Sequence, residues 1–400
     1  MSGRATVAFA TALVACLAIG LWYGGHPNKL PGFLRDVFVG GEAGLNVEAT
    51  EAIEGNYFRE VSGRQLSNAS LQGMVRGLRR SHRDRFSDYF SPESLESFDE
   101  AIAGRFTGIG LEVAEVKQGL RATHVFKGSP ADRGGIEVGD VIVSVDGESI
   151  AGLSSEAATA KIKGPEKTEV TVGVLDPKSG KVRELHLTRE QIALPVAIGE
   201  LRTIGGRKLG DVAFASFSEG SAELLRKQVE KVRREGAEGI VLDLRDNGGG
   251  LLGEAVQAAS IFLPEDEVVT TTNSRTQGHA VYKTVGGNLP AEPLVILING
   301  NTASAAEILT AALADDADSP VVGTHSYGKG VFQQEFPLSN GGALKLTVGE
   351  YFTPDGVNLA VSHGIHPDVE VSDDPGTKRD EALDRALRVL ARQRGGRAGE

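Results

Sequence analysis

The sequence predicts an α/β chain, in which buried parallel strands are layered against helices and a smaller β-rich module comes first. Three observations carry this. Ile240-Val-Leu-Asp-Leu244 and Leu294-Val-Ile-Leu-Ile298 are short, nearly unbroken apolar runs of the kind found in strands covered on both faces. Each is followed by a loop and an amphipathic stretch: Ala255, Ala258, Ala259 and Phe262 after the first, Ile308, Leu309, Ala312 and Leu313 after the second. From Phe106 to about Arg189 the pattern changes to short alternating strands separated by Gly, Asp and Pro turns.

A chain of 400 residues has room for two or three domains. Its 40% hydrophobic and 24% charged residues are an ordinary globular mixture, and 52 glycines point to many tight turns. The formal charge of −12 argues against a nucleic-acid partner, which needs a basic stripe. One cysteine, Cys16, excludes disulfides within the chain and cysteine zinc sites. The eight histidines show no paired ligand spacing, so neither metal nor cofactor is expected.

Arg4 precedes an uncharged run from Ala5 to Gly24 that holds Leu13, Val14, Leu17, Ile19, Leu21 and Trp22. At about 1.5 Å per residue this run just spans a bilayer. Residues 1–24 are therefore expected to be a signal-anchor crossing the cell membrane once, with the rest of the chain outside the cytoplasm. Leu13-Val14-Ala15-Cys16 also fits a lipoprotein cleavage box, and a cleaved signal is a further alternative. A linker is expected over 25–45 and a helical region over 46–105. There Leu71, Met74, Val75 and Leu78 form one apolar stripe. His82, Asp84 and Ser87 lie nearby at spacings that support no catalytic assignment. Near the end, Leu383, Ala386, Leu387 and Leu390 mark a helix over Asp380–Gln393, within a terminal segment 376–400.

The module at 106–190 carries Phe106-Thr-Gly-Ile-Gly-Leu111, Gly128-Ser-Pro-Ala131, Gly139-Asp-Val-Ile-Val-Ser-Val-Asp-Gly147 and a helix over Ser154–Lys163. The first segment alone is an ordinary turn; the ordered set resembles a PDZ domain. The amides of Ile109, Gly110 and Leu111 are then expected to converge on a terminal carboxylate, with Ala158 and Ile162 walling an apolar pocket. The expected partners are proteins or peptides with apolar C-termini.

The region 191–375 holds three segments of chemical interest. Asp243 to Gly250 is a strand ending in a glycine loop, where α/β sheets place their sites. Asn299-Gly-Asn-Thr-Ala-Ser304-Ala305 puts a serine where strand, turn and helix meet. Most such serines are only helix caps. Gly323-Thr-His-Ser-Tyr-Gly-Lys329-Gly330 begins like a phosphate loop, but Gly330 replaces the hydroxyl residue and Val331–Leu338 has a strand pattern. Ser326 and Lys329 also fit an SxxK pair, without the SDN and KTG motifs that belong with it. A hydrolase using His325, His363 or His366 is a further alternative.

Taken together, these segments and the PDZ-like module resemble the carboxyl-terminal processing peptidases, or tail-specific proteases, from about residue 50 to 370. Tyr351-Phe-Thr-Pro-Asp-Gly356 and Gly364-Ile-His-Pro-Asp368 extend the match. The resemblance implies a crotonase-like protease core with an inserted PDZ domain, acting as a serine endopeptidase through an acyl-enzyme. It makes Ser304 the nucleophile, Lys329 the general base and Gln333 the group orienting the lysine. Gly249 and Ala305 would supply the oxyanion amides, and PDZ movement would gate the site. Gly248 departs from the family's usual proline, and Arg79–Phe86 lacks its usual Asp-Pro-His-Ser-like turn. A catalytically silent tail-binding adaptor and an acyl-CoA enzyme are the rival functions; an adaptor partner and a homo-oligomer are open. A lysine base must be neutral, so a dry site is expected with no carboxylate beside Lys329. Asp315, Asp316 and Glu335 are expected not to pair with it.

Overall fold

The structure, a computed structural model, describes residues 41–393 except 177, 178, 194, 318, 375 and 378. The expected membrane anchor at 1–24 lies outside the described residues, among which no helix is long and apolar enough to cross a membrane. The chain divides between Ser91 and Pro92 into two units.

The first unit holds α1 (Gly41–Asn56), α2 (Gly63–His82) and the short strand β1 (Asp88–Phe90). Helix α1 begins inside the expected linker, which is shortened accordingly. Ser62 and Gln65 form a capping box at the start of α2, and Arg83 closes it in the left-handed region at φ 53°. The stripe expected on α2 is only partly packed: Val75 is buried, whereas Met74 and Leu78 are exposed.

The second unit opens with α3 (Pro92–Ile102) and β2 (Arg105–Gly108). A module follows, made of β3 (Leu111–Val116), β4 (Gly119–Val125), α4 (Pro130–Arg133), β5 (Val141–Val145), β6 (Glu148–Ser149), α5 (Ser155–Ile162), β7 (Glu169–Leu175) and β8 (Val182–Thr188). Its sheet runs β3-β4-β5-β7-β8 with β6 on β5, over a core of Leu120, Ile142, Ile150 and Val172. The chain leaves through β9 (Glu190–Ala193), which pairs antiparallel with β2. The module is thus an insertion on a two-stranded stem. Helix α5 matches the expected one, with Ser154 as its N-cap.

The rest of the unit comprises β10 (Ala197–Ile204), β11 (Arg207–Phe214), α6 (Ser221–Arg234), β12 (Ile240–Asp243), α7 (Leu252–Phe262), β13 (Val268–Ser274), β14 (Gly278–Lys283), β15 (Leu294–Ile298), α8 (Ala305–Asp316), β16 (Val321–Gly323), β17 (Val331–Pro337), β18 (Ala343–Phe352), β19 (Val369–Glu370) and α9 (Glu381–Arg392). The main sheet runs β10-β11-β12-β15-β16-β19; β10 and β11 are antiparallel and the later pairs parallel. Leu242, Ile296 and Ile298 face the cluster built by α6, α7 and α8. Val241, Val295 and Leu297 face α9 through Ala386, Leu387 and Leu390. Both faces are covered, which is why these strands read as continuous apolar runs. Arg245, just past β12, pairs with Asp243 at 2.7 Å and with Asp380, the N-cap of α9, at 2.8 Å. It joins the carboxyl edge of the sheet to the helix behind it. A second, antiparallel layer pairs β17 with β18, β18 with β13 and β13 with β14. The Lys329 segment enters β17, a strand, as its sequence pattern required.

Candidate active site

Ser304 sits between β15 and α8, at the carboxyl edge of the parallel strands. Its loop is fastened to the one after β12: Thr302 Oγ1 donates to Leu244 O at 2.8 Å, and the Ala303 amide to Asn247 O at 2.9 Å. Ser304 occupies the N-cap position, yet its backbone is not that of a cap. The capping serines Ser62, Ser129 and Ser154 are extended, with φ between −61° and −85°, whereas Ser304 has φ 58° and ψ −119°. For a residue with a Cβ this conformation costs about 1–3 kcal/mol and persists only where the surroundings impose it. Within this conformation Ser304 still keeps the pairing of a capping box with Glu307, through its own amide.

What imposes it is Glu307, fully buried three residues further on. Its Oε2 accepts the Ser304 amide at 2.8 Å and the Lys329 amide at 3.0 Å. Its Oε1 accepts the Ser326 hydroxyl at 2.5 Å and the Gly328 amide at 2.7 Å. One carboxylate therefore holds the serine turn and the lysine loop together. Glu307 was not among the residues expected at the site. Its signal was present as the Ser-x-x-Glu spacing of a capping box at 304–307.

Lys329 is half-buried, and that burial, helped by the positive charge of Lys345, pulls its ammonium down to about 8. The Glu307 charge opposes the fall and loses. The net effect corresponds to roughly 3 kcal/mol against the charged amine. The expectation of no carboxylate beside this lysine is thus corrected: Glu307 is there, bound to its backbone. Lys345 comes from β18, with its Nζ 4.6 Å from the centre of the Phe98 ring. Glu335, one of the acids named from sequence, is pushed up by burial and by Asp99, against the pull of Lys345.

Gln333 and Gly249 are two more of the residues expected here. Gln333, expected to orient the lysine, gives its side-chain amide to Thr347 Oγ1 at 3.4 Å. The two residues stand directly opposite in the β17–β18 register, next to a bulge at Phe332/Gln333, and that register decides the partner. Gly249 lies where the oxyanion assignment puts it, with φ 95°. A Cβ there would come within 2.7 Å of Ala303 O, 2.8 Å of Ser304 Cβ and 2.9 Å of the Ala305 amide nitrogen. Its own amide, however, donates to Asn247 Oδ1 at 2.9 Å and is turned from the site. The Ala305 amide is the first of α8, and helix geometry leaves it without an acceptor inside the helix.

Tyr351 from β18 opens one of the segments that extend the family match, but no role was expected of it. It is buried, and its hydroxyl interacts with the Ser304 side chain without reaching the distance and angle of a fully formed hydrogen bond. His325 and His366 stack edge-to-face, 4.1 Å between ring centres, and His366 also meets Ser362 O. Their partners are each other and the loop, not Ser304. Among the described residues no cluster of His, Cys, Asp or Glu is arranged to hold a metal ion.

In the inserted module, a groove of about 200 Å³ runs along Gly108 to Leu111 and past Thr159, Ile162 and Lys163. The Ile109 and Gly110 carbonyls are tied inward, to the amides of Ala131 and Phe126 at 2.8 and 3.1 Å. Across a trans peptide the next N–H points the opposite way, so the Gly110 and Leu111 amides face the groove. The Ile109 side chain is buried, and Ile162 lines the wall as expected. Ala158 does not. It is fully buried in the module core, one helical position from the groove, and Thr159 takes its place.

A strained serine at a strand–helix junction, a lysine held below its ordinary pKa on the neighbouring loop and an inserted tail-binding module define a serine peptidase core carrying a PDZ domain. The family models for peptidase family S41 and for the PDZ domain match residues 208–371 and 99–175. The chain is 31% identical over 323 residues to the carboxy-terminal processing protease CtpA of Bacillus subtilis (strain 168), covering 81% of this chain and 67% of the relative. It is 34% identical over 321 residues to a probable CtpA-like serine protease of Staphylococcus aureus, covering 80% of this chain and 62% of that one. The photosystem II D1 C-terminal processing protease superposes with a TM-score of 0.50 at 28% identity, over 87% of this chain and 98% of that one. A putative S41 protease from Bacteroides fragilis shares the fold, with a TM-score of 0.51 at 17% identity over 84% and 91% of the two chains. The chain belongs to peptidase family S41, as a serine endopeptidase with an inserted PDZ domain.

Proposed function

We propose that the enzyme cleaves protein substrates held by their apolar C-terminal tails in the PDZ groove, using Ser304 as nucleophile and Lys329 as general base. The observation that carries this is the pairing of an imposed, strained backbone at Ser304 with a lysine lowered to about 8 on the loop that Glu307 ties to it. A serine hydroxyl needs a partner to take its proton, and a lysine serves only when neutral. In the cycle Ser304 attacks the peptide carbonyl and its proton passes to Lys329. The lysine then protonates the leaving amine, and water releases the acyl-enzyme. Ala305 supplies one oxyanion amide. The Gly248–Gly250 loop supplies the second once the Gly249 peptide turns away from Asn247, and Gln333 acts from its place opposite Thr347. Movement of the PDZ module on the β2–β9 stem opens the site. The apolar run at 5–24 supports a single-pass anchor with the catalytic region outside the cytoplasm; protease protection of intact cells tests that placement.

Ser304→Ala and Lys329→Ala should each abolish cleavage of an unfolded protein with an apolar tail while leaving the melting temperature within a few degrees. Full activity in Lys329→Ala refutes the dyad. The resting orientation of the Gly249 amide favours one second reading, a silent adaptor that only binds tails. Covalent labelling of Ser304 by a fluorophosphonate decides between them.

A further inference from the structure

Tyr351 is built into the active site by its backbone. Its amide donates to the carbonyl of Gly330, the neighbour of Lys329, at 3.2 Å. The side chain of Asn358 then clamps both segments, donating to Gly330 O at 3.0 Å and to Tyr351 O at 3.2 Å. The ring packs in the core cluster with Ala305, Ala306 and Leu309, and the residue is 2% exposed. A tyrosine buried this deeply ordinarily finds an acceptor for its hydroxyl. This one has no well-formed hydrogen bond, and the side chain it interacts with as a polar partner is that of the nucleophile. Burial, and then the Glu307 charge, hold the phenol protonated well above its ordinary range, so it remains a donor wherever Lys329 titrates.

We propose that the Tyr351 hydroxyl is held in reserve as a hydrogen-bond donor to Ser304 Oγ, a bond made only when the serine turns to react. The proposal rests on the Ser304–Lys329 dyad. During attack the Oγ proton passes to Lys329 Nζ, the bond from Oγ to the carbonyl carbon forms, and the carbonyl π pair moves onto the oxyanion. Tyr351 keeps its own proton and donates to Oγ while that atom carries negative charge. In the acyl-enzyme Oγ is an ester oxygen, a weak acceptor, and the bond slackens. When the water adduct collapses, Oγ leaves with the bonding pair and recovers a proton from the Lys329 ammonium, and Tyr351 again meets a charged oxygen. A hydrogen bond stronger in the transition states than in the states between them accelerates the reaction.

The test uses the whole chain with Tyr351→Phe, which removes one oxygen. It measures kcat and KM on an unfolded substrate with an apolar tail, the rate of fluorophosphonate labelling of Ser304, and the melting temperature. The expected result is a kcat lower by ~10- to 100-fold with KM unchanged. Labelling should slow in proportion, and the melting temperature should hold or rise because the deleted hydroxyl made no well-formed hydrogen bond in the resting state. Parental kcat and labelling overturn the proposal, as does a lower melting temperature with parental labelling per folded molecule. If the phenylalanine variant fails to fold, site-specific 3-fluorotyrosine keeps the shape and sharpens the donor; a parental kcat then overturns it. Ser304→Ala and Lys329→Ala run alongside. Activity in either sinks the dyad itself, whereas inactivity in both beside a fully active Tyr351→Phe sinks this inference alone.

Discussion

Ser304 and Lys329 hang from the same oxygen: Glu307 Oε2 accepts the backbone amide of the first at 2.8 Å and of the second at 3.0 Å. Catalysis between residues on two loops depends on their relative placement. Here that placement is set by one buried carboxylate whose other oxygen holds Ser326 and Gly328.

Glu307→Gln keeps the size of the side chain but turns one acceptor into a donor facing donors. Hydrogen bonds to a buried charge are worth about 1.5–3 kcal/mol each. Urea unfolding should show a loss of about 3 kcal/mol or more, and Ser304 labelling should fall by about 100-fold. The Glu307 charge raises the lysine pKa, so its removal favours the neutral amine; activity lost despite that gain identifies a geometric role. A fully active, fully stable variant would sink it.

The pH profile follows from Lys329. The neutral amine is the working form, so kcat/KM should rise with pH and level off above about 8. At pH 7 only about a tenth of the lysine is neutral. Lys345→Met removes a positive charge that disfavours the ammonium, so the Lys329 pKa rises. The limb should move to higher pH, lowering activity at pH 7 and sparing the plateau. A limb that stays put refutes the role given to Lys345.

Adjacent glycines should respond oppositely. Gly249→Ala forces a Cβ into Ala303, Ser304 and Ala305 at a positive φ, and should abolish cleavage and labelling. Gly248→Ala meets no atom within 4 Å and lacks the positive φ. It should be neutral or stabilising by up to about 1 kcal/mol, through the entropy of the unfolded chain. Equal kinetics in the two variants contradict the contact.

Gly110→Ala tests the PDZ groove. Position 110 has φ 83°, and a Cβ there would overlap Ser129. KM for a tailed substrate should rise at least about tenfold while fluorophosphonate labelling stays parental. A parental KM argues that tails are not held at this loop.

The strand runs at 240 and 294, the helix faces at 255 and 308, and the PDZ series at 106–147 were legible because each is written in local periodicity or turn chemistry. Glu307 was only half legible: its spacing marks a helix start, but nothing local says that the same carboxylate reaches 328 and 329. The α2 stripe misled because periodicity states which face is apolar, not whether anything covers it. Ala158 and Thr159 differ by one helical position, a rotation that packing sets.

By itself the sequence determined the layers and the β-rich module, since helix, strand and turn preferences act over a few residues; Ser304 and Lys329 were pointed to by the family resemblance and by no local preference. Only the tertiary structure decided that Glu307 couples them, that Lys345 joins burial in lowering the lysine, that Gln333 faces Thr347, and that the Tyr351 hydroxyl is buried against the serine without a well-formed hydrogen bond. Desolvation and charge–charge energies depend on distances between segments remote in the chain, and folding alone brings those segments together.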